Sequence, residues 1–234
     1  MVKNKKILKH VAIFDVDGTI FRSSLLIEVV RALLKEGIFA SSTEKIYIRA
    51  HKRWLDRKDS YENYVDAVVK AFKKNIKNVN YHHFLKVVKR VIIFHKDRVY
   101  CYTRDLVRKL KKENYYLLAI SHSPKLIVES FCKEWGFDKV YGELYEFDKK
   151  RRFTGKTLCP TLVGDKSQIL KRVIEKEKLT LEKSIGVGDT ESDVPFLKMV
   201  EKPICFNPNQ NLYKLAKKMG WSIVVERKDV IYHL

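Results

Sequence analysis

The amino-acid sequence predicts an α/β protein in which a doubly wound, largely parallel sheet carries an inserted helical domain. Three short apolar runs, at residues 11–14, 116–121 and 184–188, each end at a turn, which is typical of buried strands. Helical patterns separate these runs, and strands that alternate with helices form parallel sheets. About a hundred residues lie between the first two runs, too many for a single crossover connection.

The first strand, VAIF, leads directly into the turn DVDGT, so Asp15 and Asp17 follow its carboxyl end. Open α/β sheets bind ligands at this edge. Two carboxylates one residue apart can take different catalytic roles, because one can bind a metal while the other attacks or transfers a proton. The alternative is an Asp-rich turn without chemistry, since Asp and Gly are ordinary turn residues.

The long segment after this turn has the pattern of four helices and little strand character. The predicted helices cover residues 24–36, 44–58, 61–75 and 81–94. The first stops at Gly37, and Ser60 can cap the third. We therefore predict an inserted domain of residues 23–96 within a core formed by residues 1–22 and 97–234.

Polar side chains also mark the later core elements. A helix over residues 104–113 precedes the strand YLLAIS, which ends at Ser121. Lys166 begins the helical stretch KSQILKRVIEKEK, and the strand SIGVGD ends at Asp189, four residues before Asp193. Taken singly, this serine and this lysine fit a capping residue and a solvent-facing residue. Their order along the chain, together with the acids, favours one shared site.

The four motifs DVDGT, AISHS, Lys166 and GDTESD, in this order, resemble those of the haloacid dehalogenase (HAD) superfamily. Their spacing and the tail PICFNPNQNLYKLAKKMGW are similar to its phosphoserine-phosphatase-like branch, subfamily IB. The resemblance covers the core but fades between the first two motifs. It implies a Rossmann-like core, a mobile helical cap over the site, and hydrolysis of a phosphate monoester through an aspartyl-phosphate.

The resemblance assigns roles to the acids. Asp15 would be the nucleophile, and Asp17 would protonate the leaving alcohol and later activate water. Asp15, Asp189 and the backbone carbonyl of Asp17 would bind Mg²⁺, which prefers a few carboxylates with several waters. Asp193 would orient these ligands from the second shell of the metal.

Two further residues would bind the phosphoryl group. Ser121 would donate its hydroxyl to a phosphoryl oxygen, and Lys166 would offset the negative charge. Lys156, in FTGK, is the alternative lysine. Lys166 is preferred because it begins the helix that precedes GDTESD.

The cap carries the prediction about the substrate. Phosphoserine-specific members have an acid in the first cap helix, but Ser24 falls at that position and Glu28 is one turn further on. We therefore expect phosphoserine to be a poor substrate, because its ammonium would lack a partner. The many cationic residues favour a substrate with extra negative charge or a neutral body. The second predicted helix of the insert carries a cluster of basic and aromatic residues: Arg49, His51, Arg53 and Trp54. This cluster either contacts the substrate or belongs to a solvated helix face with a packed Trp.

The net charge of +20 raises the question of nucleic acid or anionic lipid as a partner. The lysines are spread along solvated helix faces, and no RNA-recognition or zinc-finger signature occurs, so a small phosphorylated substrate is favoured over nucleic acid. Two alternatives remain: phosphotransfer from the same intermediate to an alcohol, and a nucleic-acid- or membrane-associated protein with a vestigial core. The sequence leaves the oligomeric state open.

The location is predicted from what the sequence lacks. No apolar stretch approaches the roughly 20 residues of a transmembrane helix. The basic start, MVKNKKILKH, has neither the apolar segment nor the cleavage site of a secretory signal. The four cysteines, Cys101, Cys132, Cys159 and Cys205, have no paired or metal-binding spacing. We expect a cytoplasmic protein.

Overall fold

An eight-stranded sheet forms the centre of the protein within residues 8–158 and 164–234, which the computed structural model describes. Its strands are β1 (Lys9–Phe14), β2 (Tyr116–Pro124), β3 (Lys139–Phe147), β4 (Phe153–Leu158), β5 (Leu179–Gly188), β6 (Lys202–Phe206), β7 (Ser222–Arg227) and β8 (Val230–His233). Their order is β4-β3-β2-β1-β5-β6-β7-β8. The six central strands are parallel, and β4 and β8 are antiparallel edges. The predicted fold class is confirmed.

Helices cover both faces of this sheet. They are α1 (Leu25–Lys35), α2 (Glu44–Leu55), α3 (Tyr61–Asn75), α4 (Tyr81–His95), α5 (Cys101–Lys112), α6 (Lys125–Glu134), α7 (Lys166–Glu177), α8 (Val194–Leu197) and α9 (Gln210–Met219). Ala12 and Phe14 of β1 belong to an apolar cluster shared with α1, α3, α4, α5 and α6. Val11 and Ile13 belong to the opposite cluster, with α7, α8 and α9. Burial on both faces explains why this strand is a continuous apolar run.

The helices between β1 and β2 follow the predicted pattern closely. The Ser60 hydroxyl accepts a hydrogen bond from the Asn63 N–H (3.1 Å) and caps α3 as expected. The core helix α5 begins three residues before its predicted start. The reason is a distant cap: the Glu226 carboxylate accepts hydrogen bonds from the N–H groups of Cys101 (3.0 Å) and Tyr102 (2.8 Å).

The hairpin of β3 and β4 fastens the turn between α3 and α4, which the sequence does not reveal. The Asn78 N–H donates to the Phe153 carbonyl (2.8 Å), and the Phe153 N–H donates to the Val79 carbonyl (3.0 Å). The Phe153 ring is buried, with its centroid 5.0 Å from that of Phe84. Lys73 of α3 also pairs with Glu143 of β3 (2.8 Å). The helical insert is therefore tied to the core far from its own ends.

Two expectations fall partly outside the described residues. Cys132 and Cys205 are buried free thiols and Cys101 is exposed, whereas Cys159 lies outside the described residues. The basic start of the chain, residues 1–7, also lies outside them. Among the helices that are described, none has the length and apolar character needed to cross a membrane.

The contact between Phe153 of the β3–β4 hairpin and the helical insert can be tested by mutation. Replacing Phe153 by Ala should lower the free energy of unfolding by about 3–5 kcal/mol, because a buried aromatic ring is removed between helices and hairpin. Chemical denaturation measures this change. Phe94, whose side chain is 83% exposed on α4, is the matched control, and F94A should unfold near the wild-type midpoint. Equal losses for both variants would contradict this packing.

Candidate active site

The first and last acidic motifs meet because β1 and β5 are neighbours in the sheet. The pairing extends past β1, since the Asp15 N–H donates to the Val187 carbonyl (2.9 Å). Gly18 follows with φ of +85°, and a Cβ at this residue would lie 2.1 Å from Oδ2 of Asp189. Glycine is therefore required both for the turn and for the approach of the Asp189 carboxylate.

Lys166 lies beneath this edge and joins two of the acids. Its Nζ donates hydrogen bonds to Oδ1 of Asp15 (2.7 Å) and Oδ1 of Asp193 (2.5 Å), and its side chain is 1% exposed. The second oxygen of Asp193 accepts from the N–H groups of Asp189 (3.0 Å) and Thr190 (3.2 Å). Both Asp193 oxygens are thus engaged by the protein. The alternative lysine, Lys156, is exposed on β4.

Three donors hold the Asp17 carboxylate. Its Oδ1 accepts from the Leu25 N–H (2.6 Å), and its Oδ2 accepts from the hydroxyls of Ser121 (3.0 Å) and Ser123 (2.7 Å). Sequence reasoning identified Ser121 but missed Ser123. The available signal was the two-residue spacing in SHS, which places both hydroxyls on one face of extended backbone.

Burial is the largest influence on the pKa values of three acids of the site, Asp15, Asp17 and Asp189. It raises the pKa of Asp15 to about 8 although the Lys166 ammonium acts against the rise. It also raises the pKa values of Asp17 and Asp189 above the ordinary range. Burial disfavours the charge of Lys166, but the carboxylates of Asp15 and Asp193 outweigh it and raise the lysine pKa. One ammonium cannot offset this many carboxylates, so the site has a deficit of positive charge.

A divalent cation fits that deficit. One carboxylate oxygen from each of Asp15, Asp189 and Asp193 lies within 4.8 Å of the other two. Oxygen donors of this kind suit Mg²⁺. Because Asp193 already uses both oxygens on protein donors, Asp15 and Asp189 are the better ligands, and Asp193 fits a supporting position.

A cleft of about 380 Å³ opens onto Asp15 and Asp17. The strand ends and following loops contribute Asp15, Asp17, Ser121, His122, Ser123, Asp189, Thr190, Glu191 and Ser192. The helical insert contributes Ser24, Leu26, Tyr61, Glu62, Val65, Asp66 and Val69. No Lys or Arg of the described residues lines it. The cleft is thus formed by residues of the first, second and fourth motifs and by a wall from the insert. The resemblance implied a cap over the site but identified none of the α3 residues that line this wall.

Ser24 is buried and lines the cleft, as its position relative to the nucleophile suggested. Glu28 does not reach the cleft. Its carboxylate instead pairs with Arg98 (2.9 Å) and Arg31 (3.5 Å) and lies 3.6 Å from His95. This acid therefore helps to hold the base of the insert.

The basic and aromatic residues of α2 also lie away from the cleft. Trp54 stacks on Tyr64, with ring centroids 5.6 Å apart, and Arg53 pairs with Asp59 (3.1 Å). Neither Arg49 nor any other member of that cluster is a lining residue. The packed Trp on a solvated helix is the arrangement found, and the cations expected to favour an anionic substrate do not face the cleft.

Comparison with known proteins agrees with this architecture. A family model described as haloacid dehalogenase-like hydrolase matches residues 12–198. The histidinol-phosphatase of Neisseria meningitidis serogroup C (strain 8013) is 25% identical over 226 residues, which cover 93% of this chain and 99% of that protein. The phosphoserine phosphatase of Archaeoglobus fulgidus is 23% identical over 211 residues, covering 89% of this chain and 55% of that protein.

The fold has a close counterpart among solved structures. A protein of unknown function from Bordetella pertussis Tohama I superposes with a TM-score of 0.72 at 18% identity, covering 93% of this chain and 98% of that one. Such a likeness shows a shared fold. The family match covers most of the chain, including all four motifs. The chain therefore belongs to the haloacid dehalogenase-like hydrolase family, among its phosphatases.

Proposed function

We propose that this phosphatase is a Mg²⁺-dependent phosphomonoester hydrolase that acts through an aspartyl-phosphate on a small phosphorylated metabolite in the cytoplasm. The observation that carries the proposal is the pair of acids at the floor of the cleft. Asp15 is bound by Lys166, and Asp17 is held by two serine hydroxyls. Residues 23–96 would be the cap over the core of residues 1–22 and 97–234.

The first half of the reaction uses both acids. The Asp15 carboxylate attacks phosphorus, forming the acyl phosphate as the ester P–O bond breaks. Asp17 gives its proton to the leaving alcohol oxygen, and its raised pKa favours the protonated acid needed for this step. The nucleophile is the ionised form of Asp15. Burial raises the pKa of this acid, whereas the Lys166 ammonium, and Mg²⁺ when it is bound, would oppose that rise and favour the ionised form.

The second half returns the enzyme to its starting state. The Asp17 carboxylate takes a proton from water as that water attacks phosphorus, and the bond from phosphorus to Asp15 breaks with release of phosphate. Ser121 and Ser123 donate to Asp17 and hold its carboxylate in place, and when the ester is bound the Ser121 hydroxyl would donate to a phosphoryl oxygen while Ser123 keeps its contact with Asp17. Mg²⁺, when bound by Asp15, Asp189 and the Asp17 carbonyl, supplies positive charge that offsets the phosphoryl oxygens.

The nucleophile is tested by D15N, which keeps the shape of the side chain and removes its charge. The hydrolysis rate should fall by roughly 1,000-fold or more. Phosphate release from the best substrate is the measurement. D229N, in the β7–β8 turn, is the matched control and should retain normal activity. A near-normal rate for D15N would contradict the aspartyl-phosphate route.

The metal is tested by chelation and titration. Activity should vanish in excess chelator, return with Mg²⁺, and return poorly with Ca²⁺, whose larger coordination sphere engages more carboxylate oxygens. D189N should raise the Mg²⁺ concentration that gives half of the maximal rate. Full activity in excess chelator would overturn the metal assignment.

The lysine is tested by comparing K166M with K156M. Removing the Lys166 ammonium leaves Asp15 and Asp193 buried without their partner, so K166M should lose activity and about 3–5 kcal/mol of the free energy of unfolding. Lys156 is exposed, and K156M should match the wild type in both assays. The reverse outcome would assign the phosphate-binding role to Lys156.

A further inference from the structure

We infer that the cleft selects phosphate esters of amino alcohols, whose alcohol part carries a positive charge and no carboxylate. The inference rests on the proposed function, because the phosphoryl group must lie at Asp15 for the alcohol part to reach the wall of the insert. The cleft volume of about 380 Å³ suits a small molecule of this kind.

The wall is one face of α3. Tyr61, Glu62, Val65, Asp66 and Val69 all line the cleft, and their spacing places them on adjacent positions of one helix surface. The face therefore combines an aromatic ring, two apolar side chains and two acids one turn apart. Carboxylates attract an ammonium, and the Tyr61 ring offers a further favourable surface for a cation.

The charges of the cleft are divided between floor and wall. The cation of the floor, Lys166, lies beneath Asp15 and does not line the open space. Glu62 and Asp66 line the wall, with Glu191 from the core beside them, and no Lys or Arg among the described residues does so. A carboxylate on the alcohol part would meet like charges and find no cation, which is costly.

Asn209 positions one of these acids. Its side-chain amide donates hydrogen bonds to the carboxylates of both Glu62 and Glu191, joining α3 to the loop after β5. Its backbone N–H donates to the Asp189 carbonyl (2.8 Å). The acidic wall is thus held at a defined place relative to the catalytic acids.

Asp66 completes the site. Within the part of the chain that the structure describes, its side chain makes no hydrogen bond or ion pair with another residue. Its charge is therefore not neutralised by the protein. Asp66 is exposed, so a substrate ammonium that reaches it would replace water rather than a protein partner, whereas the Glu62 carboxylate already accepts a hydrogen bond from Asn209.

The acidic wall gives a different reason to expect phosphoserine to be a poor substrate. The absence of an acid at Ser24 is made up by Glu62 and Asp66, so the ammonium of phosphoserine has partners. Its carboxylate has no lysine or arginine partner among the described residues that line the cleft. Histidinol phosphate and phosphoethanolamine each have a cationic alcohol part that can pair with the acidic wall, and neither has a carboxylate that the wall would repel.

The test is the ratio of kcat/KM values in a matched panel. Phosphoethanolamine and histidinol phosphate have a cationic alcohol part. Phosphoserine has an ammonium and a carboxylate on its alcohol part, and the alcohol part of glycerol 3-phosphate is uncharged. The better cationic ester should exceed both phosphoserine and glycerol 3-phosphate by about tenfold or more, a difference of about 1.4 kcal/mol. E62Q and D66N should each reduce the ratio of cationic to neutral ester. E44Q, an exposed acid of α2 outside the cleft, should leave that ratio unchanged.

The outcomes separate the two proposals. Leading activity on phosphoserine or glycerol 3-phosphate, or ratios unmoved by E62Q and D66N, would overturn the substrate class while leaving the phosphatase reaction intact. Absence of hydrolysis of every ester in the presence of Mg²⁺ would overturn the proposed function itself.

Discussion

The arrangement of the site depends on one buried ammonium among several buried carboxylates. Lys166 joins the end of β1, through Asp15, to the loop after β5, through Asp193. Without it, adjacent acids at this sheet edge would repel one another and could remain buried only as neutral groups. Its charge is also too small for the whole set, since burial still raises the pKa values of Asp15 and Asp189. This excess of buried carboxylates over cationic side chains favours binding of a divalent cation.

The sequence was sufficient for the fold class, three of the central parallel strands and the four motifs because their signals are local, whereas the other five strands were not predicted individually. An apolar run followed by an acidic turn specifies both a strand and the residues at its carboxyl end, and parallel neighbours bring those ends to one edge. Distant contacts left no such signal. Glu226 caps α5 from the other end of the chain, and Phe153 fastens the α3–α4 turn through backbone hydrogen bonds. Neither partner can be recognised from residues near the contact.

The cleft wall shows the same limit for function. The net charge of +20 suggested an anionic or neutral substrate, but composition sums over all surfaces and does not reveal which side chains face a cavity. The rotation of α3 about its axis determines that Glu62 and Asp66 line the cleft. Glu28, which the sequence offered as the nearest acid, is instead neutralised by Arg98 and Arg31. The proposed selectivity therefore rests on the local charge of the cleft rather than on the total charge of the chain.

Covalent catalysis by Asp15 is the central feature of the proposed reaction, and trapping the aspartyl-phosphate intermediate tests it most directly. Enzyme that is turning over a phosphomonoester would be quenched in acid and treated with borohydride, which reduces an acyl phosphate to the alcohol and so converts Asp to homoserine. Peptide sequencing by mass spectrometry should find homoserine at residue 15, dependent on both substrate and Mg²⁺. Conversion at Asp17 or Asp189, or none during active turnover, would contradict the central claim.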